Sequence, residues 1–239
     1  MEARLYRSNP IKNGGYAADT MFHIKDPGSS ITHFIGFICA ILATPCLLIY
    51  ASARHIGLAG LVSLSVFMIS MVLLYGASTA YHTFIVQPHT EKILKRIDHM
   101  MIFVLIAGSY TPVCAMVLPQ PTGTILLAVI WGLAFAGMVL KLFWVTCPKW
   151  FSSIIYISMG WTCLGVFGQL IHNLSSAQFG LLVAGGVFYT VGGVIYALKF
   201  PVFGGRFKYF GAHELFHVFV MLGSACHFIF MFLLQPHNF

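Results

Sequence analysis

Seven stretches of this chain are apolar for long enough to cross a lipid bilayer, and this limits the fold more than any motif does. At a rise of 1.5 Å per residue, about 20 apolar residues span the hydrocarbon core. The stretches are 31–53, 57–83, 97–118, 122–145, 151–171, 178–199 and 213–234. The expected fold is all-α: a polytopic membrane protein with a bundle of seven transmembrane helices, residues 31–239, behind a polar arm, residues 1–30. The links near 53–57 and 118–122 are so short that the helices they join must run antiparallel. A soluble alternative is excluded by composition. The chain is 59% hydrophobic and 8% charged, where a soluble domain carries roughly 25% charged residues.

The arm contains Gly14-Gly15, Pro27-Gly28 and Ser29-Ser30. It lacks a short apolar stretch ending at a small-residue cleavage site, so it reads as an interfacial segment and not a signal peptide. Basic residues then set an expected orientation. One face collects Arg4, Arg7, Lys12, Lys25, Lys92, Lys95, Arg96, Lys141, Lys149, Lys199, Arg206 and Lys208, and the other only Arg54. Twelve against one predicts a cytoplasmic N-terminus and an outer C-terminus. The net charge of +7 is thus a topology signal, with attraction to anionic lipid headgroups as a by-product. A nucleic-acid partner is not expected, because the basic residues sit in short loops between spans. No feature specifies an oligomeric state.

The six cysteines have no C-x-x-C spacing, and all but Cys147 lie within apolar spans. They read as small packing residues, not a disulfide framework.

Ionisable groups inside spans are costly and so are candidate functional residues. The second span ends "YGASTAYHTF", with Ser78 and His82 one turn apart; the third begins "KRIDHMMIF", with Asp98 in its first turn. The seventh begins "AHELFH", with His213 and His217 also one turn apart. Alternating topology brings the end of the second span and the starts of the third and seventh to one leaflet. Three imidazoles there would give zinc three ligands and leave a fourth position for water. Asp98 is placed to take the water's proton or hold it, and Ser78 to donate to a ligand, the water or a developing oxyanion. Taken singly, each of these groups has a plainer reading. Histidines at helix ends sit in a wet headgroup region, and membrane serines bond their own backbone.

The string His213-Glu214-Leu215-Phe216-His217 also spells H-E-x-x-H, the zincin signature. Glu214 is open to three readings: general base, partner to a ligand histidine, or first-turn carboxylate favoured by the helix dipole. His33, in the first turn of the first span, is a candidate to support a ligand. His227 lies about 15 Å beyond His217 along the helix, too deep to share a metal, and reads as a buried hydrogen-bonded histidine. His99 is expected to point about 100° away from Asp98, and Lys141 to snorkel toward the interface. His23, His55, His89, His172 and His237 have no assigned role. Pro45 and Pro112 are expected to bend their helices, and "AGGVFYTVGG" to allow close helix approach.

Four blocks, "ITHFIG" at 31–36, "YGASTAYHTF" at 75–84, "KRIDHMMIFVLIAGSYTPV" at 95–113 and "HELFHVFVMLGSACHF" at 213–228, resemble the bacterial hemolysin III proteins. These are relatives of the progestin and adipoQ receptors and, more remotely, of the alkaline ceramidases. The resemblance implies a seven-helix bundle with zinc near the cytoplasmic face, held by His82, His213 and His217, with Ser78 and Asp98 beside it and the N-terminus inside. It offers two activities: zinc-dependent hydrolysis of an amide bond in a lipid such as ceramide, and a cytolytic, pore-forming role; the open metal site and the Asp98/Ser78 pair extend the first to a lipid ester. A non-enzymatic regulator of membrane lipid and energetics with structural zinc is a third expectation, and an intramembrane protease using Glu214 a fourth.

Overall fold

The computed structural model describes residues 23–198 and 210–234. Arg4, Arg7, Lys12, Lys199, Arg206, Lys208, His237 and most of the 1–30 arm lie outside these. The described residues form α1 (Pro27–Ala53), α2 (Gly57–Thr83), α3 (Pro88–Met116), α4 (Thr122–Phe143), α5 (Lys149–Gly160), a 3₁₀ segment (Thr162–Val166), α6 (Phe167–Asn173), α7 (Ser176–Leu198) and α8 (Ala212–Leu233). Counting the broken segment Lys149–Asn173 as one, seven of these elements are long and apolar enough to cross a membrane. The chain is a multi-pass membrane protein with an all-helical bundle.

Helix ends follow local chemistry. Proline opens α1 and α3, where its fixed φ suits the first helical position and its missing N–H costs nothing. The tight reversal between α1 and α2 uses left-handed backbone at His55 (φ 54°) and Gly57 (φ 77°), a region glycine enters freely. Both α1 and α3 start earlier than hydropathy indicates, because their first turns are polar. Asp98 therefore lies well inside α3 and not in its first turn.

Packing runs in sequence from α1 to α2, α3 and α4, while α5 touches α3 and α7, and α8 packs on α7 and closes against α1. Large apolar side chains such as Leu58, Ile49 and Phe135 face outward, 78%, 70% and 66% exposed, as lipid-facing residues do. The core holds Phe67, Phe103, Ile130 and Phe230, all fully buried. Small residues let α7 and α8 approach closely, as expected. An added Cβ at Gly185 would sit 2.3 Å from the His227 ring, and one at Gly223 2.8 Å from Tyr189.

The fifth span is not the single helix its hydropathy suggests. It breaks after Gly160, and Tyr110 of α3 repairs the break: its hydroxyl donates to Gly160 O at 2.6 Å and accepts from Cys163 N at 2.9 Å. Lys141 also departs from expectation. It does not snorkel but is 1% exposed, turned inward, with Nζ donating to Ser152 Oγ at 2.6 Å and to Cys147 Sγ at 3.0 Å. All six cysteines are free.

Most hydroxyls inside the spans are accounted for locally. Thr44, Ser63, Ser65, Ser70, Thr79, Ser109 and Thr111 each donate to a carbonyl one turn back. This is the plain role of such residues in lipid. Ser78 does not follow it.

Candidate metal centre

The segment just before α1 is the first part of the site. Lys25 N donates to Thr83 O at 3.2 Å and Asp26 N to His82 O at 2.9 Å, which pins the start of α1 to the end of α2. Lys25 Nζ reinforces the clasp through Glu91 Oε1 at 3.0 Å and the Tyr81 ring at 3.5 Å. The result puts Asp26 Oδ2 2.9 Å from His82 Nδ1. A carboxylate oxygen only accepts, so His82 Nδ1 carries the proton and Nε2 offers its lone pair inward.

His217 is oriented the same way from α1. Its Nδ1 lies 3.3 Å from Ser29 O and 3.2 Å from Thr32 Oγ1. The Thr32 hydroxyl already has carbonyl acceptors at Gly28 and Ser29, so His217 Nδ1 is the donor and Nε2 is bare. His213, one turn earlier on α8, brings its Nε2 to 3.2 Å from His82 Nε2. Ligand nitrogens of His82, His213 and His217 all lie within 4.8 Å of one another.

These residues fit a metal ion. Two nitrogens bound at about 2.0–2.1 Å to a tetrahedral ion lie roughly 3.3–3.4 Å apart, close to the 3.2 Å seen. Neutral imidazoles whose second nitrogen is held by a carboxylate or a backbone carbonyl are the usual ligand arrangement. His82 and His217 are also 3% and 2% exposed, so their inward lone pairs have little water to bind.

Asp98 and Ser78, both buried, line a cavity together with His213 and His217. Ser78 neighbours the Asp98 carboxyl, yet its Oγ makes no well-formed hydrogen bond. An unsatisfied buried hydroxyl costs about 1–3 kcal/mol. This one faces the space beside the histidines. The same cavity reaches His227 and Trp161. From His213 to His227 along α8 is about 20 Å, and the lining between them is mostly apolar.

The remaining expectations divide. Glu214 bonds no histidine. Its Oε2 accepts from Gly211 N at 2.8 Å and its Oε1 from Ser29 Oγ at 2.5 Å, so it caps α8 and ties it to α1. His33 touches His217 by stacking, ring centroids 3.6 Å apart, and both its nitrogens are buried without a hydrogen bond. His227 is buried as expected, with Nε2 3.2 Å from Leu182 O. His99 was expected to turn away from Asp98, but both line the cavity, which is broad enough to reach around that corner of α3. Asp26, Ser29 and Thr32 are the site residues that hydropathy passes over. The one sequence signal near them is that Thr32 falls in the "ITHFIG" block; nothing in the sequence links Asp26 or Ser29 to the histidines.

Comparison with known proteins agrees with this architecture. The family model described as "Haemolysin-III related" matches residues 22–228. The "Hemolysin-3" of Bacillus cereus is 38% identical over 209 residues, covering 87% of this chain and 91% of that protein. The "Hemolysin-3 homolog" of Bacillus subtilis (strain 168) is 39% identical over 209 residues, covering 87% and 93%. The match runs from the Asp26 clasp through both histidines of α8, and the chain belongs to the haemolysin III family.

Proposed function

We propose that this protein is a zinc-dependent hydrolase of a lipid amide (ceramide-like) or ester, acting inside the cell membrane. The observation that carries this reading is the cluster of His82, His213 and His217, the last two of which line a cavity together with Asp98 and Ser78, whose hydroxyl makes no well-formed hydrogen bond. Zinc suits a site built from neutral histidine nitrogens without a thiolate, in which the His82–His213 pair already stands at the spacing of tetrahedral ligation. The N-terminus and the metal end of the bundle would face the cytoplasm, as the basic residues direct.

Bound zinc supplies Lewis acidity, polarising a carbonyl and acidifying water. The chain does the rest. Asp26 and the Ser29 carbonyl hold His82 and His217 in the tautomer that presents Nε2. Asp98 accepts the proton of the attacking water at its carboxylate and returns it to the leaving amine or alcohol. Ser78 Oγ–H donates to the carbonyl oxygen as negative charge develops there. The apolar wall between the histidines and His227 holds the acyl chain and excludes bulk water. Glu214 takes no part, since both its oxygens are committed to the cap and to Ser29.

The test is release of fatty acid from ceramides and related amides and esters by the protein in nanodiscs, with and without a zinc chelator. Chelator-sensitive release that is lost in Asp98→Asn supports the reading. Chelator-insensitive release, or none across the lipid panel, contradicts it.

A second reading draws on the names of the relatives, which describe hemolysins. In it the protein permeabilises membranes, and zinc only fixes α2 against α8. Dye release from liposomes that persists after zinc removal would favour it.

A further inference from the structure

Lys141 is the most deeply buried basic group in the described chain, at 1% exposure. Buried charges are normally paired, because an isolated one is expensive in a low-dielectric interior. Among the described residues no carboxylate lies within salt-bridge distance of Lys141; its partners are Ser152 Oγ, Cys147 Sγ and, at 5.7 Å, the face of Tyr156. The counter-charge that such burial calls for is missing among the described side chains.

Ser152 connects this amine to the cavity. It lines the cavity along with Ser153, Tyr156 and His99, and Lys141 stands directly behind it. Because Ser152 Oγ accepts from Nζ, its own proton is free to point elsewhere. Its remaining partners are Pro148 O at 3.4 Å, at the weak end of hydrogen bonding, and Cys147 Sγ at 3.2 Å, where either atom can donate and sulfur is a weak acceptor. A hydroxyl polarised by an amine and held only by these weak acceptors is a ready donor to an anion. The His99 Nδ1 nearby is buried with no hydrogen bond and faces the same space.

We propose that Lys141 and Ser152 form a headgroup subsite that binds the anionic end, carboxylate or phosphate, of an amphiphile whose chain lies along the cavity toward His227. This rests on the reading of the cavity as a lipid site and adds the charge of the head to it.

The experiment uses the full chain in detergent, freed of metal by a chelator. Binding is read by displacement of a doxyl-labelled acyl probe that quenches Trp161, which lines the cavity. Oleate is compared with oleyl alcohol, lysophosphatidate with monooleoylglycerol, and inorganic phosphate is tested as a competitor. The anionic member of at least one pair should bind tenfold or more tightly than its neutral partner. Lys141→Met should abolish that preference, and Ser152→Ala should reduce it severalfold. Preference in the oleate pair alone identifies a carboxylate head, and in the lysophosphatidate pair alone a phosphate; competition by inorganic phosphate shows that the anion suffices. Equal affinity within both pairs, or a preference intact in Lys141→Met, overturns the subsite. Should Lys141→Met not fold, the Ser152→Ala comparison decides by the same criterion. No turnover is read and no metal is present. A failed hydrolysis assay therefore leaves the subsite standing, and loss of the anion preference leaves the hydrolase reading standing.

Discussion

The Asp26 carboxylate, at the threshold of α1, holds His82 at the end of α2 through a 2.9 Å hydrogen bond to Nδ1. This contact turns a polar loop residue into part of the candidate metal centre, since it fixes which ring nitrogen faces inward. The Asp26 side chain is 44% exposed, so the bond contributes little to stability; its role is orientation. Asp26→Asn should weaken zinc affinity roughly 10–100-fold while leaving the melting temperature near that of the parent. Competition against a calibrated chelator measures it, and unchanged affinity would mean that the carboxylate does not orient the ligand.

Asp98 is given the opposite profile. Asp98→Asn keeps the size and burial of the side chain but removes its capacity to take a proton. Hydrolysis should fall by about 10²–10⁴-fold, the usual worth of a general base, with zinc content unchanged. Loss of zinc along with activity would make Asp98 a ligand instead.

Glu214 separates the two meanings of H-E-x-x-H. As a cap on α8, Glu214→Ala should cost about 0.5–2 kcal/mol of stability, read as a lower unfolding temperature, with lipid turnover per folded molecule retained. Complete loss of turnover at normal stability would restore the zincin reading.

Gly185 tests the packing at the far end of the cavity. A methyl at this position would meet the His227 ring at 2.3 Å and force it off the Leu182 carbonyl. Gly185→Ala should therefore cost about 1–3 kcal/mol, as overpacking does. Zinc content, set at the other end of α8, should not change.

Hydropathy made the seven spans legible because lipid demands long, uninterrupted apolar runs, and the i, i+4 pairs Ser78/His82 and His213/His217 stood out because that demand makes polar groups conspicuous. What could not be read was set by partners distant in sequence. The break after Gly160 depends on the Tyr110 hydroxyl of another helix. Lys141 looked like a snorkelling residue because nothing near it in sequence shows that Ser152 and Cys147 would enclose its amine. Asp26 was hidden for a simpler reason. It lies in a polar segment where an aspartate is ordinary, and only the clasp onto α2 gives it a task.

If His82, His213 and His217 jointly hold one zinc ion, elemental analysis of the purified protein will show it. The parent should carry close to one equivalent of zinc per chain. The His82→Ala/His213→Ala/His217→Ala variant, shown to be folded by its far-UV circular dichroism and elution volume, should carry none. Equal zinc in the two proteins, or a parent that takes up no zinc when it is supplied, would contradict it.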